Sequence, residues 1–231
     1  MITTQNLIKK YSGVPVLNLP DLKINRGETF GLVGNNGAGK TTFFSLVLDL
    51  IEATEGAILS KNQNVKQSEH WKPYTGAYLD ESFLIDFLTP EEYFEFIGNL
   101  YGFSNGQLNN FYTRFTEFFN GEILGKRKYI RDLSRGNQKK VGIAAALMSN
   151  PEILVLDEPF PNLDPTTVIR LKNMLKQMKQ RGEITMLISS HDLNHVTEVC
   201  DRIVILDHGN IVRDLRTSEQ TLKELEAYFT I

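Results

Sequence analysis

The chain has 231 residues, and its 25 Lys and Arg against 28 Asp and Glu give a net charge of −3. That balance supplies no global basic field, so nucleic acid is not expected as a partner. With 41% hydrophobic residues the length suffices for one sizeable core. The single cysteine, Cys200, excludes an internal disulfide and a Cys-based zinc site.

In chain order, "TTQNLIKKY", "VPVLNLPDLKI" and "ETFGLVG" read as strands, the second running unbroken over 14–24. A glycine-rich loop follows, then the apolar-periodic "TTFFSLVLDLI", a helix over 41–51. "AILS" is a short strand, residues 61–73 are polar and irregular, and "TGAYLD" is a further strand. From 82 to 150 aromatic residues crowd in at helical spacing, from Phe83 and Phe87 to Phe118 and Phe119, which reads as core packing. Thr89 and Glu92 form a capping box that opens a helix stopped near Gly102. Two more helices span 104–119 and 136–150. Alternation then resumes: strand "EILVLDEP", a helix to Gly182, strand "EITMLISSH", a short helix, strands "DRIVILDHG" and "NIVRDL", and a C-terminal helix capped by Ser218. Such alternation implies a mostly parallel sheet.

The N-terminus carries no apolar leader, and no run approaches the ~18 apolar residues of a membrane span. A soluble, cytoplasmic chain is expected.

"GNNGAGKT" at 34–41 matches G-x-x-x-x-G-K-[ST] at every fixed position, between an expected strand and an expected helix. Gly34, Gly37 and Gly39 permit conformations that turn backbone amides inward, with Asn35, Asn36 and Ala38 completing the loop. Those amides and the helix N-terminus attract a polyphosphate. Lys40 adds charge at the β- and γ-phosphates, Thr41 is the expected Mg²⁺ ligand, and Thr42 reaches a phosphate. In "ILVLDEP" four apolar residues carry Asp157 to a strand end, where it would hold Mg²⁺. Glu158 follows, placed to orient or deprotonate a water. Together these motifs indicate an NTPase that uses Mg²⁺, without saying which nucleotide; ATP as the cofactor comes with the family resemblance that follows.

The order GNNGAGKTT, LSRGNQ, ILVLDEP, NLD, SSH resembles the ATP-binding subunit of ATP-binding cassette (ABC) transporters over essentially the whole chain. The resemblance implies an α/β fold: a P-loop NTPase, RecA-like core with a parallel sheet, an N-terminal antiparallel β subdomain and an inserted helical subdomain. Residues 1–81 and 151–231 would form the nucleotide-binding core and 82–150 the helical signature subdomain. Tyr11 matches the aromatic residue that stacks on adenine, and Val16 lines the same base. Ser134, Arg135, Gly136 and Asn137 match the signature that binds the nucleotide of the opposite subunit, with Arg135 and Asn137 in place of its usual glycine and glutamine. Asp164 matches an aspartate that communicates across the dimer, and His191 the histidine that contacts the γ-phosphate. The glutamine that usually follows the strand at "TGAYL" is missing. Glu81 is its best positional match, as a metal-facing group, and Asp80 the second choice. The polar residue usual after the acidic motif is replaced by Phe160-Pro161. Lys139 and Lys140 read as solvated residues on the outer side of a helix whose apolar face is Val141, Ile143, Ala144 and Leu147.

What the resemblance implies is an ATPase. It would power transport through a separate membrane permease by ATP-driven closure of two ATP-binding subunits, in a homodimer or heterodimer on the inner face of the membrane. Export is the favoured direction, from likeness to exporter cassettes around 88–103 and 189–206. An importer cassette, an inactive regulatory cassette, and a non-transport ABC ATPase acting on ribosome or DNA remain as alternatives.

Overall fold

The computed structural model describes residues 1–182 and 184–229. Glu183, the first residue of one expected strand, lies outside them. Strands β1 (Ile2–Tyr11), β2 (Val14–Leu19), β3 (Lys23–Ile24) and β4 (Thr29–Val33) precede helix α1 (Lys40–Val47). Then come β5 (Glu55–Ser60), β6 (Gln63–Asn64) and β7 (Thr75–Tyr78). Helices α2 (Pro90–Leu100), α3 (Asn105–Phe119) and α4 (Arg135–Ala146) separate β7 from β8 (Ile153–Leu156). The remainder is α5 (Pro165–Gln180), β9 (Thr185–Ser190), α6 (Leu193–Val199), β10 (Arg202–Asp207), β11 (Asn210–Arg216) and α7 (Thr221–Phe229).

These strands form one sheet in the order β6-β5-β1-β2-β11-β10-β4-β9-β8-β7, with β3 beside β1. It is mixed rather than mostly parallel. Strands β10, β4, β9, β8 and β7 are parallel neighbours, whereas β1 pairs antiparallel with β2, β3 and β5. This is the α/β, P-loop NTPase arrangement, with parallel core, antiparallel β region and helical insert.

The central strands β4, β8 and β9 are buried along their whole length. Their alternate residues serve two cores. Phe30, Leu32, Ile153, Val155 and Leu187 pack with Phe43 and Phe44 of α1. Val33, Leu154, Leu156, Met186 and Ile188 face the layer that includes α4 and α5. A sheet covered on both sides leaves only its strand ends and connecting loops open, and the chemistry-bearing motifs lie there.

Several local expectations differ. The strand expected over 14–24 breaks at Pro20, which has no N–H to donate; its carbonyl instead accepts from the Asn6 N–H at 2.7 Å, where β1 itself kinks with φ +46° at Asn6. Helix α1 stops at Val47, and Asp49 turns the chain at φ +51°. Helix α4 ends at Ala146 rather than 150, its last turn closed by the Leu147 N–H on the Ile143 and Ala144 carbonyls. The stretch 61–73 contains the buried Trp71, whose indole N–H donates to the Val65 carbonyl at 3.1 Å. Helix α7 begins at Thr221, with the Ser218 hydroxyl accepting from Gln220.

The aromatic run divides in two. Phe94, Phe111, Phe115 and Phe119 form a buried stack with ring centroids 4.8–5.7 Å apart. Phe83, Phe87, Phe96 and Tyr101 are instead exposed, so core packing does not account for them. No helix among the described residues is long and apolar enough to cross a membrane.

Candidate functional site

The loop after β4 is shaped by close approach as much as by torsion. A Cβ at Gly34 would lie 2.3 Å from the Leu206 carbonyl oxygen, so only glycine fits beside β10. Gly39, at φ +108°, admits the turn into α1. No side chain caps α1, leaving its first amides open to an anion. The Ala38 carbonyl accepts from Gly209, bracing the loop against the β10–β11 turn. Asn35 and Asn36 are exposed, as is Thr41, while Thr42 is half-buried.

Lys40 is buried. Its ammonium donates to the Gly34 carbonyl at 2.6 Å and the Asn35 carbonyl at 3.3 Å, and stands 3.4 Å from Glu158 Oε1. Asp157 accepts from the Thr41 hydroxyl at 2.5 Å and from the Ser189 hydroxyl. Glu158 Oε2 lies 2.9 Å from His191 Nδ1. The loop, the end of β8 and the end of β9 thus converge on one cluster. The cause is register: Leu156 pairs with Ile188 across the parallel strands, so Asp157 and Glu158 emerge beside Ser189, Ser190 and His191.

Burial raises the Asp157 carboxyl above its ordinary range, against the hydroxyl donors and Lys40, which lower it. A carboxyl raised on folding favours the fold while protonated and opposes it once pH climbs through its folded pKa. At neutral pH the ion is therefore an electrostatic cost that a cation would relieve. Asp157→Asn is expected to raise the melting temperature of the nucleotide-free protein at pH 7 and to remove the extra stabilisation that Mg²⁺ adds to ATP. A variant with an unchanged apo melting temperature and full Mg²⁺ response contradicts this.

The other sequence-selected residues sit as follows. Val16 is half-buried, and its carbonyl would lie 3.1 Å from a Cβ at Gly39, so β2 runs against the phosphate loop. Tyr11 is exposed, with the Lys9 ammonium 4.8 Å from its ring centroid. Glu81 accepts from the Tyr78 hydroxyl at 2.8 Å. Burial and that carboxylate push the Tyr78 phenol up, so it remains a donor. Ser134 N-caps α4 by accepting from the Asn137 N–H at 3.3 Å, and Arg135 is exposed. A Cβ at Gly136 would meet the Asn162 carbonyl at 2.5 Å. Asp164 N-caps α5, accepting from Thr167. Among the described residues no hydrogen bond or ion pair joins Ser134–Asn137 to the Lys40–Asp157–Glu158 cluster, so this chain alone does not unite the two sets.

Three features were not foreseen. Lys139 and Lys140 are not solvated: both are buried, Lys139 donating to the Glu158 carbonyl at 2.8 Å and Lys140 to Glu122 at 2.8 Å. Helix α4 is covered on more than its apolar face, so its cations need partners inside the fold. Ser189 belongs to the cluster; the polar residues ending an otherwise apolar strand were the available signal. Phe160 is buried against the His195 ring at 4.6 Å between centroids, which accounts for an apolar residue after the acidic motif.

The donor set suits Mg²⁺. Thr41 and Asp157 offer hard oxygens side by side, and such an ion takes one or two carboxylates together with phosphate oxygens and water.

The profile of the ABC transporter family matches residues 17–161. This chain belongs to the ABC transporter family. The bacitracin transport ATP-binding protein BcrA of Enterococcus faecalis is 32% identical over 220 residues, which is 95% of this chain and 70% of BcrA. The methionine import ATP-binding protein MetN of Carboxydothermus hydrogenoformans is 30% identical over 222 residues, 93% of this chain and 66% of MetN. A solved ATP-binding subunit of an ABC transporter, 26% identical, superposes with a TM-score of 0.87 and full coverage of both chains. The cassette is thus an ABC transporter ATP-binding subunit, of a family that hydrolyses ATP.

Proposed function

We propose that this cassette hydrolyses MgATP at the Lys40–Asp157–Glu158–His191 cluster and drives export through a separate membrane permease. The convergence of a phosphate loop, a hydrogen-bonded Asp–Thr pair and a Glu–His pair carries the reading. The phosphate-loop amides and the α1 N-terminus bind the polyphosphate. Thr41 and Asp157 hold the ion, which when bound neutralises charge on the phosphates; Glu81, one of whose oxygens accepts from Tyr78, is the further candidate ligand. A polyphosphate competes with Glu158 for the Lys40 ammonium, and the released carboxylate takes a proton from water. His191 orients Glu158 and reaches the γ-phosphate. Tyr11 stacks on the base, beside Val16.

Two copies close head to tail, so that Ser134, Arg135, Gly136 and Asn137 of one meet the nucleotide of the other. Asp164 lies at the same seam. Their exposure or separation from the in-chain cluster supports this, because the α4 N-terminus is otherwise an unused anion site. ATP favours the closed pair by its differential affinity for it.

The permease reading rests on an apolar groove of about 590 Å³ between β7 and the helices α2 and α4, lined by Leu50, Trp71, Phe83, Leu100 and Tyr101. Leu100 is 69% exposed and Phe83 58%, more than isolated surface residues require. A coupling segment of a membrane partner fits such a surface. The division into a core (1–81, 151–231) and a helical part (82–150) places the groove at their junction. Export is favoured over import by likeness to a bacitracin transport subunit, with the methionine import subunit the counter-example.

Leu100→Glu should leave ATP turnover of the purified protein unchanged and shift the protein from the membrane to the soluble fraction of its host. Persistent membrane attachment of that variant, or co-sedimentation of the wild type with ribosomes, overturns the permease reading. Loss of the gene should sensitise the host to an exported compound; dependence on a supplied nutrient instead indicates import.

A further inference from the structure

We propose that Lys139 is a positioning residue for Glu158: from α4 its ammonium holds the Glu158 carbonyl in place. The inference rests on the reading of Glu158 as the base that activates water.

The backbone at Glu158 requires holding. Its φ is +45°, in the left-handed region where a Cβ crowds the following carbonyl. Both backbone polar groups of Glu158 are fixed by side chains. The N–H donates to Ser189 Oγ at 2.9 Å, and the carbonyl accepts from Lys139 Nζ at 2.8 Å. Ser189 also donates to Asp157, so it serves metal ligand and base together. Lys139 is the second anchor, and it comes from a different part of the chain.

A lysine only 5% exposed is costly to bury and persists where partners compensate. Here the partners are functional groups. The ammonium lies 5.9 Å from the Tyr78 ring centroid, and the Tyr78 hydroxyl donates to Glu81. Burial lowers the Lys139 pKa, while Glu81, Glu158 and Asp157, in that order, raise it. Glu81 is therefore the carboxylate that most strongly favours the charged ammonium. A carboxylate at the position usually held by glutamine adds a negative charge, which the Lys139 ammonium offsets electrostatically.

The arrangement also joins two halves of the machinery. Helix α4 opens at Ser134, whose hydroxyl caps it, and carries Lys139 one and a half turns later. The helix that offers its N-terminus to a partner's nucleotide thus ends its reach on this chain's own base. A shift of α4 displaces the Glu158 carbonyl directly.

The test is steady-state ATPase kinetics of the purified protein with Mg²⁺ and ATP. Lys139→Met keeps length and removes the donor. It is expected to lower kcat on the order of 30-fold, below the ~10²-fold that a 1 Å misplacement costs, with KM for ATP unchanged within about twofold. Lys139→Gln, which returns an N–H, is expected to recover most of that loss. Adding Glu81→Gln to Lys139→Gln should improve turnover further, since it removes the carboxylate left without its cation. Wild-type kcat in Lys139→Met, a matching loss of kcat and ATP affinity, or no recovery in Lys139→Gln overturns the proposal. Should Lys139→Met fail to fold, the Lys139→Gln variant decides with the Glu81 pair: additive losses overturn it. Glu158→Gln separates the two readings. If that variant is inactive and Lys139→Met is not, only the positioning role falls; if Glu158→Gln stays active, the base and the positioning role fall together.

Discussion

Glu158→Gln is expected to cut ATP turnover by about 10³-fold, within the range that a positioned general base contributes, while leaving ATP-dependent dimers intact. The two effects separate because they use different properties of the side chain. Turnover needs a carboxylate that accepts a proton. Dimer closure as proposed needs the phosphate loop of one copy and Ser134–Gly136 of the other; of these only Lys40 stands beside that carboxylate, at 3.4 Å, and its ammonium is kept in the variant. Glutamine keeps the shape, retains an oxygen for the His191 contact now at 2.9 Å, and removes a negative charge from beside the triphosphate. The closed dimer should therefore persist longer than in the wild type. Phosphate release and size-exclusion chromatography with ATP measure the two outcomes. Robust hydrolysis by the variant would rule out Glu158 as the base.

Lys40→Met should reduce kcat/KM for MgATP by about 10²- to 10³-fold, the loss typical of one removed charge-stabilising donor in a closed site. Methionine fills the same channel, so the fold is retained. What disappears is the ammonium that binds the Gly34 and Asn35 carbonyls and stands beside Glu158. Thermal unfolding reads the consequence directly. At 100 times its dissociation constant a ligand adds about 2.7 kcal/mol to a protein that binds it only when folded. The wild type should show that rise with MgATP, and Lys40→Met at the same concentration should show almost none. An equal rise in both would mean that the polyphosphate is held elsewhere.

The alternation of apolar strands with periodic helices made the α/β fold legible, because burial of both sheet faces writes itself into unbroken runs such as "ILVL". Turn chemistry gave the Thr89–Glu92 capping box and the stop near Gly102, where φ is +69°. Motif order led to the family. Less legible was anything set by contacts distant in sequence. The break at Pro20 depends on which part of β1 each short strand meets. That the antiparallel strands join the parallel core in one mixed sheet depends on the pairing of β11 with β2, between residues 210 and 18. Periodicity along one helix placed Lys139 and Lys140 in solvent, since it has no knowledge of what packs on the polar side.

By itself, then, the sequence determined that the candidate residues of the phosphate loop and the acidic motif lie at a glycine-rich turn and a strand end, because strand, turn and helix signals are local. Only the tertiary structure decided that Asp157 meets Thr41 and Ser189, that Glu158 stands between Lys40 and His191, and that Lys139 reaches the Glu158 carbonyl. Those meetings are fixed by parallel register between strands separated by whole helices, and by how deeply α4 is buried. Neither quantity is a property of any short stretch of chain.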